Sequence, residues 1–340
     1  MSAMDLPVKT YIYFLAQSIN LTTAVMSVTM AALVGTSLTP QPWLSTVPYG
    51  FQFLFVMLST FPASRLMAKI GRKKSFLLST LPLAASGIAG YLAVENRQFP
   101  LLVLSHSLLG IYIAFANFNR FAATDNISAN LKPQAISLVV AGGVVAAILG
   151  PLLTKYLKDS EGMQTFSACY LAFTGLAALS FLLNLMVKNP ITILTRNDKQ
   201  TRAGSGLKLV CSNRTIIFAI TVAAIGYGIM NLLMIQASLH MSNIHVHFSG
   251  ISSAIQWHVL AMFGPSFFTG IIIQRVGLKT VVMGGIILIF LSSLINITAS
   301  DYYSLSAALI TLGLGWNFTY VGGSALLTQS TDDASVSVEL

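Results

Sequence analysis

A chain of 340 residues with 55% hydrophobic and only 9% charged side chains, at a mean hydropathy of +0.76, lies far from the roughly 25% charge of soluble domains and reads as a polytopic membrane protein. The formal net charge of +9 would point to nucleic acid in a soluble protein, but here the basic residues sit in loops between apolar runs, which marks membrane topology rather than polyanion binding. The two cysteines, Cys169 and Cys211, form no metal or redox pattern and read as packing residues.

Met1–Lys9 lacks the charged start, short apolar core and small-residue cleavage site of a signal peptide, so the first apolar segment reads as a retained span. A bilayer core needs roughly 20 apolar residues as helix. Ten segments meet this, at about 11–35, 46–67, 75–94, 99–122, 134–157, 163–187, 215–239, 251–273, 280–299 and 303–327. Between the sixth and seventh lies a long polar loop. It carries Lys188, Arg196, Lys199, Arg202, Lys208 and Arg214 against the single acid Asp198, and its Gly204-Ser205-Gly206 is linker-like. The expected organisation is a six-helix bundle over 1–187, a basic linker over 188–214, a four-helix bundle over 215–327 and a polar tail over 328–340.

Two short turns organise this order. Ser64–Lys74 holds Arg65, Lys69, Arg72, Lys73 and Lys74 with no acid. Gly270–Lys279 has a similar form: with Gly71 set against Gly277, Lys69 falls on Arg275, Ser64 on Gly270 and Lys73 on Lys279. A repeat of this kind in an apolar chain points to a transporter built from two related halves. With the N-terminus inside, sixteen of the nineteen Lys and Arg fall in cytoplasmic segments and only Arg97, Lys155 and Lys158 fall outside, which sets the expected orientation.

Six spans, a basic loop and further spans, with a Gly-x-x-x-[acid]-[Arg/Lys]-x-Gly-Arg-Lys type of turn after spans two and eight, resemble the major facilitator superfamily over nearly the whole chain. His106-Ser-Leu-Leu-Gly110-Ile-Tyr-Ile-Ala114 is similar to that family's span-four motif, with His106 where an Arg is usual. Gly142-Gly143 and Gly150-Pro151 resemble part of its antiporter-type glycine motif, with Thr154 and Lys155 in place of the expected glycines. The stretches Asn119–Asp125, Gln256–Val259, Pro265–Gly270 and Gly313–Phe318 resemble a bacterial branch with members linked to riboflavin or siderophore-like solutes. The resemblance implies an all-α fold of two bundles, here about ten transmembrane helices (six and four) instead of the two six-helix halves of the family. It also shows two departures. Ala68 replaces the acid that normally latches the first basic turn, and the chain stops after its tenth span with a short acidic tail, as a truncated copy would.

No Asp or Glu lies in the middle of a span, so the candidates for proton coupling are His106 and His258, which titrate near neutral pH. The resemblance places the cavity on spans one, four, seven and ten. The candidate cavity residues there and in span eight are Gln17, Asn20, Asn117, Tyr227, Asn231, Gln256, Trp257, His258, Trp316 and Asn317, with Gln52, Gln236 and Tyr13 as further polar or aromatic neighbours. Helix–helix hydrogen bonding is the ordinary role for any one amide in lipid. Amides and aromatics without fixed charge suit a neutral or weakly charged, partly planar solute. The candidate cytoplasmic latch comprises Lys69, Gly71, Arg72, Lys73, Arg120, Asp125, Gly270, Arg275 and Gly277. Arg120 and Asp125 are expected to pair with each other across about one turn or with the basic turn. The small face of Gly142, Gly143, Ala146, Ala147 and Gly150 reads as a close helix contact. His240, His245 and His247 lack the further ligands of a metal site.

The inventory excludes an enzyme, since it has no phosphate loop, nucleophile elbow or buried carboxylate cluster, and disfavours a channel, since it has no filter loop. The expected function is a secondary active transporter moving a small organic solute across the bacterial inner membrane by alternating access, with the N-terminus cytoplasmic, protons as candidate coupling ion, no cofactor and no nucleic acid. The alternative is a truncated, non-transporting membrane protein, a relic or a regulatory or assembly partner.

Overall fold

The computed structural model describes residues 6–39, 41–188 and 214–330. Most of the expected linker, including Asp198, Gly204 and Cys211, and the last ten residues lie outside the described residues. The described residues are all-α. The first part comprises α1 (Val8–Leu38), α2 (Val47–Ile70), α3 (Arg72–Glu95), α4 (Phe99–Ala116), the one-turn α5 (Asn119–Ala122), α6 (Lys132–Leu157) and α7 (Ser167–Met186). The second comprises α8 (Arg214–Asn243), α9 (Phe248–Phe263), α10 (Ser266–Val276), α11 (Leu278–Thr298) and α12 (Tyr302–Ser330).

By length and composition, eight described stretches could cross a membrane, or nine when the bent pair α9–α10 counts as one span. The sequence reading of ten is not reached by this measure. α12 has 29 residues, enough to cross, but it carries Asn317, Thr319 and several glycines along its middle and is largely enclosed by its neighbours, so it does not stand out as an apolar span. Two spans read as continuous are interrupted. Span four breaks after Ala116, and span eight bends by 42° between Phe263 and Ser266. Pro265 supplies no N–H and its ring opposes a straight helix. Large apolar side chains such as Met57, Phe61, Leu182, Ile287 and Phe290 are exposed, which a lipid environment tolerates and water does not.

The internal repeat is visible in the backbone. Gly71 joins α2 to α3 at φ 86°, ψ 155°, and Gly277 joins α10 to α11 at φ 89°, ψ 148°. Each glycine N–H closes the preceding helix, Gly71 onto the Met67 carbonyl and Gly277 onto that of Ile273, both at 2.9 Å. Each carbonyl then accepts from the residue four further on, Ser75 at 3.2 Å and Val281 at 3.3 Å. This backbone region is open essentially to glycine alone, so the turn is written into the sequence at both places.

Three apolar clusters hold the helices. One, within α1–α7, gathers Met26, Leu83, Leu102, Tyr112, Tyr170 and Phe173. A second lies near the first basic turn and includes Tyr13, Met67, Phe76, Phe115 and Phe118. The third belongs to α8–α12, around Met230, Phe263, Leu309, Leu312 and Trp316, but it also takes in Ile136 and Val140 of α6. Helix α6 is therefore the main bridge between the two parts. Its small face is divided between partners: a Cβ at Gly142 would meet Ser18 Oγ at 2.8 Å and the Phe14 carbonyl at 2.9 Å, while one at Gly143 would run into the Phe263 ring.

Candidate functional site at the junction of the two parts

Contacts of Arg72 with Asp125 and of Gln274 with Gln134 and the Asn130 carbonyl bring the two basic turns and the α5–α6 connection to one end of the bundle, here the basic end. Arg72 Nε meets Asp125 Oδ2 at 2.9 Å, and Lys9 Nζ donates to the Asp125 backbone carbonyl. Burial pushes the Asp125 carboxyl above its ordinary range, and the Arg72, Lys9 and Lys132 cations oppose this. Lys73 Nζ donates to the Leu185 carbonyl at 2.8 Å, tying the turn to the end of α7. Lys69 and Arg275 are exposed. With Ala68 in the usual place of the acid, Asp125 is the carboxylate that meets the first basic turn.

Arg120 does not pair with Asp125. Its Nη1 donates to the Asn117 carbonyl at 3.3 Å and to the Tyr320 hydroxyl, and its guanidinium lies 4.5 Å from the ring centroids of both Phe121 and Tyr320. Arg120 thus reaches from the first part of the chain to α12. Geometry explains the difference: Arg120 sits on α5, whereas Asp125 follows the end of that helix and faces α1 and α3 instead.

Further polar contacts join the two parts at the same end. Ser137 Oγ donates to the Ser266 carbonyl and accepts from the Gly270 N–H at 2.9 Å. Gln134 Nε2 donates to Gln274 Oε1 at 2.7 Å, and Gln274 Nε2 donates to the Asn130 carbonyl. The helices come close because Gly270 has no side chain: a Cβ there would stand 2.5 Å from Gln134 Cα and 2.8 Å from the Pro133 carbonyl. Gln134, Ser137, Gln274 and Tyr320 were not singled out from sequence. The available signal was weak, an amide one residue before each of Ala135 and Arg275 at the ends of apolar runs.

Four of the candidate polar residues of the first part fall into buried hydrogen-bond sets. Gln17 Oε1 accepts from Asn20 Nδ2 at 3.5 Å and from Asn119 Nδ2 at 3.2 Å, linking α1 to α5. His106 is fully buried. Its Nδ1 lies 3.0 Å from Gln52 Oε1, its Nε2 lies 2.9 Å from the Tyr170 hydroxyl, and Ser27 Oγ donates to the same Gln52 oxygen at 2.5 Å. A neutral imidazole donating from Nδ1 and accepting at Nε2 satisfies this set, a tautomer assigned from the partners. His106 therefore has the surroundings of a satisfied core histidine.

Asn317 is committed within the second part. Its Oδ1 accepts from Thr269 Oγ1 at 2.6 Å, and its Nδ2 donates to the Met262 carbonyl at 2.6 Å and to Ser266 Oγ. It spans the α9–α10 break and staples that break to α12, so the amide expected to face the cavity is used on protein partners. His258 is fully buried, with Nδ1 2.7 Å from the Leu309 carbonyl and Nε2 without a partner among the described residues. Trp257 and Gln256 face away from the packed core, Trp257 at 56% exposure with no ring partner among the described residues. Asn231 Nδ2 bonds back to the Tyr227 carbonyl at 2.9 Å. Asn117 is half-buried.

The aromatic residues gather on α12. Trp316 and Tyr320 stack with centroids 4.5 Å apart and planes at 15°. Phe263 meets Trp316 edge-on at 5.5 Å, and Tyr227 tilts against it at 6.4 Å. Trp316 is buried and its indole N–H has no acceptor among the described residues. Arg120 Nε and Asn20 Oδ1 are likewise buried and unpartnered. A buried donor or acceptor left alone costs about 1–3 kcal/mol, so native structures keep few of them.

A family model described as Major Facilitator Superfamily matches residues 11–338. The chain is 33% identical over 317 residues to the riboflavin transporter RfnT of Brucella anthropi, covering 93% of this chain and 79% of that protein. It is 26% identical over 324 residues to YdeG of Bacillus subtilis, described as an uncharacterized MFS-type transporter, covering 91% of this chain and 75% of the relative. Among solved structures, the bacterial homologue of the iron transporter ferroportin in its outward-facing state aligns at a TM-score of 0.70 and 11% identity, covering 95% of this chain and 84% of that one. The transporter FucP in the outward conformation aligns at 0.65 and 12%, covering 97% and 93%. At these identities the likeness is one of fold.

Proposed function

The chain belongs to the major facilitator superfamily, a family of membrane transporters rather than enzymes, and from that premise we propose that it moves a planar, neutral or weakly charged organic solute of the riboflavin type by alternating access. The observation that carries the substrate class is the 33% identity to a riboflavin transporter over 93% of the chain. The aromatic group of Trp316, Tyr320, Phe263 and Tyr227 supports it, because a flat conjugated ring is held best by other rings.

In this reading the bundles 1–187 and 215–327 rock about the α6 junction, joined by the 188–214 linker. The contacts of Ser137, Gln134, Gln274 and Gly270, together with Arg120–Tyr320, close the basic end, and the solute enters from the opposite one. Release breaks these contacts. The turns at Lys69–Lys73 and Arg275–Gly277 carry the rigid joints of that motion. His258, with one ring nitrogen free of protein partners among the described residues, is the better of the two histidines for carrying a coupling proton. The excess of Lys and Arg in these loops supports a reading in which the N-terminus and the basic end face the cytoplasm across the inner membrane.

Growth tests the reading. A bacterial strain that cannot make or import riboflavin, expressing this chain, is expected to grow at micromolar riboflavin, with a protonophore slowing uptake. Surface-inserted, folded protein that gives no growth and no uptake overturns the flavin assignment.

A further inference from the structure

We propose that the starts of α1, α3 and α6 form a binding site for a phosphate oxyanion, supplied by the head group of an anionic membrane lipid or by free phosphate. Nothing in its geometry depends on which solute is carried. Carboxylates are unevenly placed along the molecule. Among the described residues, Glu95, Asp159, Glu161 and Asp301 lie at the end away from the basic turns, and Asp125 alone lies at the basic end. Three helices begin around it. Lys9, in the first turn of α1, donates to the Asp125 carbonyl. Arg72, the first residue of α3, meets the Asp125 carboxylate at 2.9 Å. Lys132, the first residue of α6, acts on the same carboxylate. None of these helices has an acid in its first turn or a side-chain cap. A helix start carries positive partial charge, so a cation there is set against the dipole. Three cations and three helix starts thus face one carboxylate. Lys132 is buried and the Asp125 side chain is only about one-third exposed, so water screens the surplus poorly.

The donors outnumber what Asp125 takes. A guanidinium carries five N–H groups and an ammonium three, and Asp125 uses one of Arg72 and one of Lys9. Tyr13 lies close enough to feel the charges of both Asp125 and Arg72. Thr10, on the same face of α1 three residues earlier, has a buried hydroxyl without a partner among the described residues. The complementary ligand is an anion with several acceptor oxygens pointing toward different helices. A tetrahedral phosphate has them, whereas a carboxylate holds two oxygens in one plane. Helix starts bind phosphate through their N–H groups and dipole. α1 and α3 are long and apolar enough to span, so their starts fall at the depth of lipid head groups, where basic pockets between helices hold acidic lipids. A phosphate there ties α1, α3 and α6 together beside the Gly71 turn.

The test uses the full chain, purified in a zwitterionic detergent and stripped of lipid. It reads the thermal unfolding midpoint and, by native mass spectrometry, the lipid retained per chain. The probes are phosphatidylglycerol against phosphatidylcholine, and inorganic phosphate against chloride at equal ionic strength. Phosphatidylglycerol or phosphate is expected to raise the midpoint by about 2–4 °C over its control. Lys9→Gln and Lys132→Gln are each expected to weaken binding about fivefold. Arg65→Gln with Lys69→Gln removes two exposed cations of the neighbouring turn and is expected to leave binding unchanged. Each rise is taken over the same variant without ligand, so a variant of lower starting stability still reports. A rise with phosphatidylglycerol alone supports the site with a lipid head group as its source. A rise with phosphate that also displaces phosphatidylglycerol supports it with a free anion as the source. No rise with either probe overturns the site, and so does a rise that Lys9→Gln and Lys132→Gln leave intact or that the Arg65→Gln, Lys69→Gln pair abolishes equally.

Discussion

Gly270→Ala is the substitution whose effect follows most directly from the packing. The new Cβ would stand 2.5 Å from Gln134 Cα and 2.8 Å from the Pro133 carbonyl. Carbon atoms pack at about 3.5–4.0 Å, so α10 and α6 must part by about 1 Å. Neither obstacle is a side chain that can swing aside. Parting the helices also stretches the Gly270 N–H to Ser137 bond, 2.9 Å, and the Gln134–Gln274 bond, 2.7 Å. Overpacking of this kind costs about 1–3 kcal/mol. The cost falls only on the arrangement in which the basic ends touch, so the ratio of closed to open basic ends should drop by about five- to 150-fold. The assay is a spin-label distance between Ser128→Cys and Lys279→Cys, both exposed and on opposite sides of the junction, in a background with Cys169 and Cys211 replaced. The expected result is a longer or broader distance in Gly270→Ala. Gly284→Ala, where a Cβ meets nothing within 4 Å, should leave it unchanged. A distance in Gly270→Ala identical to wild type, or an equal shift in Gly284→Ala, would refute the reasoning.

Three other outcomes follow from the same geometry. Gly71→Ala and Gly277→Ala each force a side chain into backbone near φ 86–89° and are expected to lower stability by about 1–3 kcal/mol, measured by thermal unfolding in detergent. Asn317→Ala takes from Ser266 Oγ and the Met262 carbonyl the amide they share, while the Thr269 hydroxyl keeps the Pro265 carbonyl as acceptor, so the expected cost is about 1–3 kcal/mol for each group left unpaired; a melting temperature equal to wild type would show that the staple is dispensable. Asp125→Asn removes an ion pair whose two side chains are about one-third exposed, and is expected to cost no more than about 1 kcal/mol, less at high salt.

The turns were the most legible part of the sequence, because a glycine at positive φ between two helices leaves a local mark that needs no tertiary context. Gly71 and Gly277 could be aligned from spacing alone, and their backbones match. The helix order was legible too, since apolar runs of bilayer length are set by composition. The α9–α10 bend has its mark in the sequence, Gly264-Pro265, but that pair lies inside an otherwise apolar run of bilayer length, which reads as one continuous span. The partners could not be read. Asn317 looks like a cavity amide by its helix, and only the approach of α9 and α10 shows its hydrogen bonds already taken. Arg120 and Asp125 are close enough in sequence to pair, yet α5 turns one toward Tyr320 and the other toward Arg72. Whether His106 is a relay or a packed side chain depended on Gln52 and Tyr170, which lie 54 and 64 residues away along the chain.

The central claim is transport of a flavin-like solute between two alternating states, and counterflow tests it most directly. Proteoliposomes holding the full chain and loaded with unlabelled riboflavin would be diluted into a trace of labelled riboflavin. The account predicts transient accumulation of label above empty liposomes, abolished in Gly270→Ala if that variant holds the basic end open. Label that never exceeds the level in empty liposomes, with folded protein present in the membrane, would contradict it.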